Sequence, residues 1–234
     1  MKINIENKNT LVQKVFDQAS KKYDLMNDIM SLGTHRLWKK QLMNWLSPSK
    51  NKNLIDVACG TGDIIKLFIK YTNNNCTVSA VDSNSNMINA GKERFKNFNK
   101  IKWHVCKAEK LCFNDNTFDY YTISFGIRNV LDINKALKEA FRVLKPGGRF
   151  ICLEFSKIQN NYLNNLYKFY SKNIPIIGKY IVGEKMPYEY LVKSIKEFYN
   201  QEELVELIKK NNFYKVKYRN LSGGIVAIHS GWKV

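Results

Sequence analysis

Short apolar runs alternate with stretches of helix-spaced apolar residues along most of the chain. Runs at 54–59, 77–82, 101–106, 118–124 and 149–155 read as strands. The stretches 63–71, 84–95 and 132–144 place apolar residues three and four apart, as amphipathic helices do. A loop through Asp115-Asn116 precedes the fourth run, and Pro146-Gly147-Gly148 reads as a turn before the fifth. This βα alternation predicts a parallel sheet wrapped by helices. Two late runs, 214–221 and 224–230, are separated only by Ser222-Gly223, a connection so short that they must pair antiparallel as a hairpin. Ahead of the first strand, Leu11 to Tyr23 and then Trp38, Leu42, Met43 and Trp45 lie at helical spacing until Pro48. Residues 1–50 are therefore expected to form a helical cover over the carboxyl edge of the sheet. The segment 156–200 is too long for a plain link, and its Tyr, Phe and Ile residues interleaved with Lys predict an inserted helical cap. The whole, 1–234, reads as a single domain with an ordinary core.

Chemistry concentrates where the first strand ends. Leu54-Ile-Asp-Val-Ala58 runs into Gly60-Thr61-Gly62, and a helix starts near Asp63. Glycines there permit positive φ and close approach of a ligand, and the helix start directs unpaired N–H groups at the turn. Asp82 closes the second strand about 20 residues on, where an acid can accept from ribose hydroxyls. The third glycine of a dinucleotide turn is missing, since Ile65 stands at that position. Asp56 within the first strand, Gly60-x-Gly62 and the ribose acid together resemble class I S-adenosylmethionine-dependent methyltransferases.

Composition narrows the setting. No run of 18 apolar residues exists, and Met1–Thr10 is polar and lacks a secretory or transit signature, so a cytoplasmic chain is expected. Cys59, Cys76, Cys106, Cys112 and Cys152 form no metal-like pairs and read as reduced thiols, so no metal is expected. The net charge of +18 comes from 32 Lys and 6 Arg scattered along the chain. That excess favours an anionic membrane surface, at roughly 1 kcal/mol per nearby Lys. Peripheral contact with the inner face of the cytoplasmic membrane is the expectation, with no nucleic-acid partner.

Four stretches resemble one family, the UbiE/MenG ubiquinone and menaquinone biosynthesis C-methyltransferases. They are Tyr23-Asp-Leu-Met-Asn-Asp-Ile-Met-Ser31 with His35-Arg-Leu-Trp38, then Ser124-Phe-Gly-Ile-Arg-Asn129, then Arg142 to Ser156, and last Asn220 to His229. The resemblance implies S-adenosylmethionine as cofactor and a polyprenyl quinol as substrate. It implies cofactor contacts at Thr61 in the turn, Asp82 on the ribose, Lys107 and Ala108 beside the adenine, and Ser124 after the fourth strand, with Asp56, Gly60 and Gly62 shaping the turn. Lys107 departs from the family, which often has Asp or Asn there; a lysine offers only donors to the adenine. Tyr199-Asn200 replaces the family's usual Phe-Pro, with little functional effect expected.

The implied reaction passes a methyl group to a ring carbon, which a phenol attacks well only after losing its proton. Candidates for that chemistry are Arg128 and Asn129 after the fourth strand, His35 and Tyr23 in the cover, and Glu154 ending the fifth strand. Arg128 stays charged and is no base, but it can stabilise a phenolate. Arg128 could instead make an ion pair within the fold, and Glu154 a structural hydrogen bond at its strand end. Two other classes fit less well. An RNA methyltransferase suits the charge but lacks the Asn/Asp-Pro-Pro-aromatic signature and a cysteine nucleophile pair. A non-catalytic subunit of a quinone-biosynthesis complex does not explain the intact turn and Asp82. A homodimer and membership of such a complex both remain open.

Overall fold

Seven strands form one sheet in the order β3-β2-β1-β4-β5-β7-β6 in the computed structural model. The structure describes residues 33–159 and 186–234, together with residues 28, 31, 165, 167, 173 and 175. The expected helix over 11–23, Tyr23 itself and part of the 156–200 cap fall outside the described residues. In chain order the elements are α1 (His35–Leu46), β1 (Lys52–Val57), α2 (Asp63–Tyr71), β2 (Cys76–Asp82), α3 (Ser85–Arg94), β3 (Ile101–Val105) and β4 (Phe118–Ser124). A 3-10 turn (Ile127–Asn129) leads to α4 (Ile133–Val143) and β5 (Leu144–Phe155). Then come α5 (Met186–Glu197), α6 (Gln201–Lys210), β6 (Tyr214–Leu221), a 3-10 turn (Ser222–Gly224) and β7 (Val226–Trp232).

Strands β1 to β5 are parallel, and β7 runs antiparallel to both β5 and β6. The inner parallel strands β1, β2, β4 and β5 are largely buried on both faces because each face carries its own core, whereas the edge strand β3 is mostly not buried. Leu54, Ile151 and Leu153 point to the side covered by α1, α2 and α5, where Leu42, Phe68 and Tyr188 are fully buried. Ile55, Val57, Phe150 and Cys152 alternate to the other side, under α4 and α6 with Leu137 and Ile208. This two-sided burial explains the near-continuous apolar strand sequences.

Differences from the sequence expectations are local. The hairpin linker is longer than Ser222-Gly223, and β7 starts at Val226 rather than 224 because the 3-10 turn takes up the intervening residues. Pro146-Gly147-Gly148 lies within β5 as a register shift against β4, with Gly147 at φ +76°, and it bonds to the backbone of Lys233. The helix α6 is absent from the sequence expectations. Its start is fixed by a capping box in which Asn200 accepts from the Glu203 N–H and the Glu203 carboxylate accepts from the Asn200 N–H. Asn200 thus has a structural use as the N-cap of this helix.

Strand β1 lies between β2 and β4, and the chain winds in opposite directions from it. Such a reversal opens a crevice at the carboxyl ends of the strands, and the candidate residues lie there.

Candidate functional site

The floor of the crevice is backbone held at positive φ. Ala58 (+53°) follows β1 and Phe125 (+55°) follows β4, alongside Gly60 (+54°) and Gly62 (+90°). Non-glycine residues are uncommon there, and strain of this kind gathers at functional sites. Gly126 is required for the two turns to touch, since a Cβ on it would lie 2.4 Å from the Ala58 Cβ. Gly62 has a packing reason as well: its Cβ would lie 2.7 Å from the Phe95 ring.

One half of the crevice suits a nucleoside. Asp82 lies at its edge with Gly60, Cys106, Ala108 and Asn129 around it, and Lys107 also lines it. The Asp82 carboxylate accepts from Gly60 N–H at one oxygen and from Asn84 N–H at the other, both at 2.9 Å. Burial pushes this carboxyl up, opposed by those backbone N–H groups. Each carboxylate oxygen keeps a further acceptor direction. Residues Lys107 to Lys110 form a tight turn on the far wall, with buried Ala108 in the middle. Cys59 has no acid–base chemistry to offer, because burial pushes its thiol well up.

The other half is a small polar compartment that meets the first at Ala58 and Phe125. It is lined by Lys39, Asp56, Thr61, Asp63 and Ser124. Lys39 is buried on α1 and donates to Asp63 at 2.7 Å, and Arg94 donates to the other Asp63 oxygen at 2.8 Å and to the Thr61 hydroxyl at 3.1 Å. Burial would raise the Asp63 carboxyl, but Lys39 and Arg94 outweigh it and hold it down to about 2. Asp56 is different. Thr122 donates to its Oδ1 at 2.6 Å, while Oδ2 is buried with no hydrogen-bond partner among the described residues. Burial pushes this carboxyl up to about 7. The Ser124 hydroxyl is likewise buried and unpartnered among the described residues. Buried polar atoms without partners are rare and point to a missing ligand or water.

Asp56 yields a pH prediction with a definite sign. Its folded pKa of about 7 exceeds its ordinary 3.8, so between those values the folded state binds more protons. Stability from this group is complete below the lower value and is lost as pH rises toward the upper one. Asn can keep the Thr122 bond and carries no charge, so the stability of Asp56→Asn relative to wild type should grow between roughly pH 4 and 7. The upper figure is on the order of 4 kcal/mol. Buried His229, held down to about 4 by burial, gives the opposite slope over an overlapping window, so only the variant difference isolates Asp56. Urea unfolding at several pH values measures it, and a pH-independent difference would contradict the assignment.

The other candidates are placed as follows. Arg128 and Glu154 are buried and form an ion pair at 2.8 Å between the 3-10 turn after β4 and the end of β5. Arg128 also donates to the Phe125 carbonyl at 2.6 Å and lies over the Phe155 ring. Burial raises the Glu154 carboxyl, against the pull of Arg128. Asn129 faces the nucleoside half and accepts from the Tyr190 hydroxyl of α5 at 3.0 Å. His35 is buried at the start of α1, 3.0 Å from Asp28, and its Nδ1 has no partner among the described residues. Burial, then Lys39, lowers its pKa and keeps the ring neutral. Sequence reasoning missed Lys39, which falls on a helix read as packing alone, and it missed Tyr190. The signal for Lys39 is its place one turn after His35 on the same helix face.

Comparison with known proteins sharpens the class. A "SAM dependent methyltransferase" from Aquifex aeolicus superposes with a TM-score of 0.64 at 17% identity, covering 89% of this chain and 98% of that one. A Thermotoga maritima "SAM-dependent methyltransferase, possible histamine N-methyltransferase" gives 0.66 at 21%, covering 94% and 99%. The strand order with its antiparallel seventh strand, and the crevice at the β1 turn, define a class I S-adenosylmethionine-dependent methyltransferase fold. Residues 3–233 match the model of the ubiE/COQ5 methyltransferase family. "Ubiquinone/menaquinone biosynthesis C-methyltransferase UbiE" from Rickettsia prowazekii is 51% identical over 240 residues, covering 100% of this chain and 96% of the relative. The protein of that name from Rickettsia bellii is 52% identical with the same coverage. The chain therefore belongs to the ubiE/COQ5 methyltransferase family.

Proposed function

We propose that this chain is an S-adenosylmethionine-dependent C-methyltransferase acting on a polyprenylated benzoquinol, a demethylmenaquinol or both. The observation that carries the reading is the two-part crevice on a chain of this family. One half offers the Asp82 carboxylate and the Lys107–Ala108 backbone, as a nucleoside needs. The other offers the buried Asp56 oxygen and Ser124 hydroxyl, unpartnered among the described residues, beside buried Lys39, which suit a zwitterionic amino-acid end. S-adenosylmethionine has both ends and, when bound, supplies an electrophilic methyl on sulfur.

Asp82 accepts from the ribose hydroxyls, and Ala108 and the Lys107 backbone flank the adenine. Thr61, Ser124 and Asp56 take the amino-acid end with Lys39, and Gly60 and Gly62 shape the turn beneath it. Arg128 and Glu154 are positioning residues: the guanidinium fixes the Phe125 carbonyl and the strained turn that aims Asn129 into the crevice. Asn129, backed by Tyr190, is the candidate to orient the quinol ring. His35, whose Nδ1 has no partner among the described residues, is the candidate proton acceptor that the family resemblance implies, although it lines neither half of the crevice.

No helix among the described residues is long and apolar enough to cross a membrane. The substrate's tail resides in a bilayer, so the chain meets it at an anionic surface, drawn there by its Lys excess. If the cap holds the tail, methyl transfer from radiolabelled S-adenosylmethionine should improve with each added isoprene until the groove is full. The gain per buried CH₂ is at most about 0.8 kcal/mol. A tail-less quinol methylated as readily as a prenylated one would remove the tail from the site.

A further inference from the structure

Two thiols lie at the nucleoside wall. Cys106 lines the crevice next to Lys107 and Ala108. Its sulfur lies 3.4 Å from that of Cys112, which is exposed. Between them the chain makes the tight turn in which Lys110 N–H donates to the Lys107 carbonyl at 3.1 Å. His104 Nδ1 lies 3.9 Å from the Cys112 sulfur, its ring set edge-on against Phe113. The other three cysteines, at 59, 76 and 152, are buried. Among the described residues no three His, Cys, Asp or Glu side chains are arranged to hold a metal ion, so the pair has thiol chemistry to offer.

We propose that Cys106 and Cys112 form a reversible oxidation site, at which a low-molecular-weight disulfide is reduced and a Cys106–Cys112 bridge closes across the adenine wall. Bonded sulfurs are about 2.05 Å apart, so the pair needs only a small approach to join. Cys112 is the attacking thiol because it is accessible; its proton passes to neutral His104 or to water. The Cys112 thiolate attacks one sulfur of the small disulfide, forms a mixed disulfide and releases one small thiolate. The Cys106 thiolate, its proton lost to solvent or base, then attacks the Cys112 sulfur and releases the second small thiol. Two protein thiols are oxidised and one small disulfide becomes two thiols. Burial and its neighbour push the Cys106 thiol up to about 11, in keeping with its place as the second, resolving group.

Closing the bridge draws Cys106 outward and shifts the wall that carries Lys107 and Ala108. The consequence for binding, though not the bridge itself, rests on the cofactor reading above. The test treats the full-length protein with oxidised glutathione and then measures intact mass, the 106–112 peptide and S-adenosylhomocysteine affinity. The expected result is loss of two hydrogens mapped to Cys106 and Cys112, with affinity reduced about fivefold or more and restored by dithiothreitol. Cys112→Ser should bind like reduced wild type before and after treatment. Glutathione adducts without a bridge, or a bridge with unchanged affinity, would overturn the proposal. Failure of the reduced protein to bind S-adenosylhomocysteine would instead overturn the cofactor reading, and mass still decides the bridge.

Discussion

Glu154→Ala should destabilise the fold by about 3–5 kcal/mol, because it leaves the Arg128 guanidinium buried without its counter-charge. Both side chains are almost wholly buried, at 6% and 1% exposure, so solvent cannot compensate. The pair also ties the 3-10 turn after β4 to the end of β5, and Arg128 N–H donates toward the same carboxylate. Removing both charges together, as Arg128→Met with Glu154→Leu, should cost clearly less than the sum of the single changes, since apolar replacements of similar volume leave no orphan. The double variant should nevertheless turn over poorly, because the Phe125 carbonyl loses the donor that fixes it. Urea unfolding of wild type, Arg128→Met, Glu154→Leu and the double variant completes the cycle, with Glu154→Ala measured beside them. Additive energies would mean that the two groups do not act as a pair.

Asp82→Ala should weaken S-adenosylhomocysteine binding about tenfold to a hundredfold, the worth of hydrogen bonds to a charged acceptor of roughly 1.5–3 kcal/mol. Asp82→Asn should be nearly as harmful. Both carboxylate oxygens accept from backbone N–H groups of Gly60 and Asn84, so an amide must turn its NH₂ group against one of those donors. A carboxylate that needed to accept at only one oxygen would tolerate Asn better than Ala. Calorimetry on variants shown to be folded measures the loss, and undiminished affinity in both would remove Asp82 from the site.

Residues whose partners are close in sequence, or whose role follows from one strand end, are legible in the chain itself. The β1 turn and Asp82 follow from the rule that ligands gather where a parallel strand ends, whereas Ser124 enters through the family resemblance. The family resemblance adds Thr61, Lys107 and Ala108, which no spacing rule singles out. Lys39 is not legible, because a lysine on an amphipathic helix is ordinarily solvated, and its partner Asp63 lies 24 residues away on a different element. The Arg128–Glu154 pair follows from the sequence only as an alternative; it depends on β4 and β5 being neighbours whose ends coincide. The helix α6 does carry a capping signal, Asn200-x-x-Glu203 ahead of Leu204, Val205 and Ile208, but the aromatic stretch before it obscures the pattern. The Cys106–Cys112 approach cannot be read from spacing alone, because the intervening turn brings the sulfurs together.

The position of the transferred methyl tests the central claim most directly. The full chain is incubated with S-adenosylmethionine carrying a ¹³C methyl and with demethylated prenyl benzoquinol or naphthoquinol kept reduced, and the product is examined by NMR. The account predicts one new methyl bonded to a ring carbon of at least one of the two quinols, formed only with enzyme present. A methyl bonded to oxygen, or no transfer to either quinol by a folded protein that binds S-adenosylhomocysteine, would contradict it.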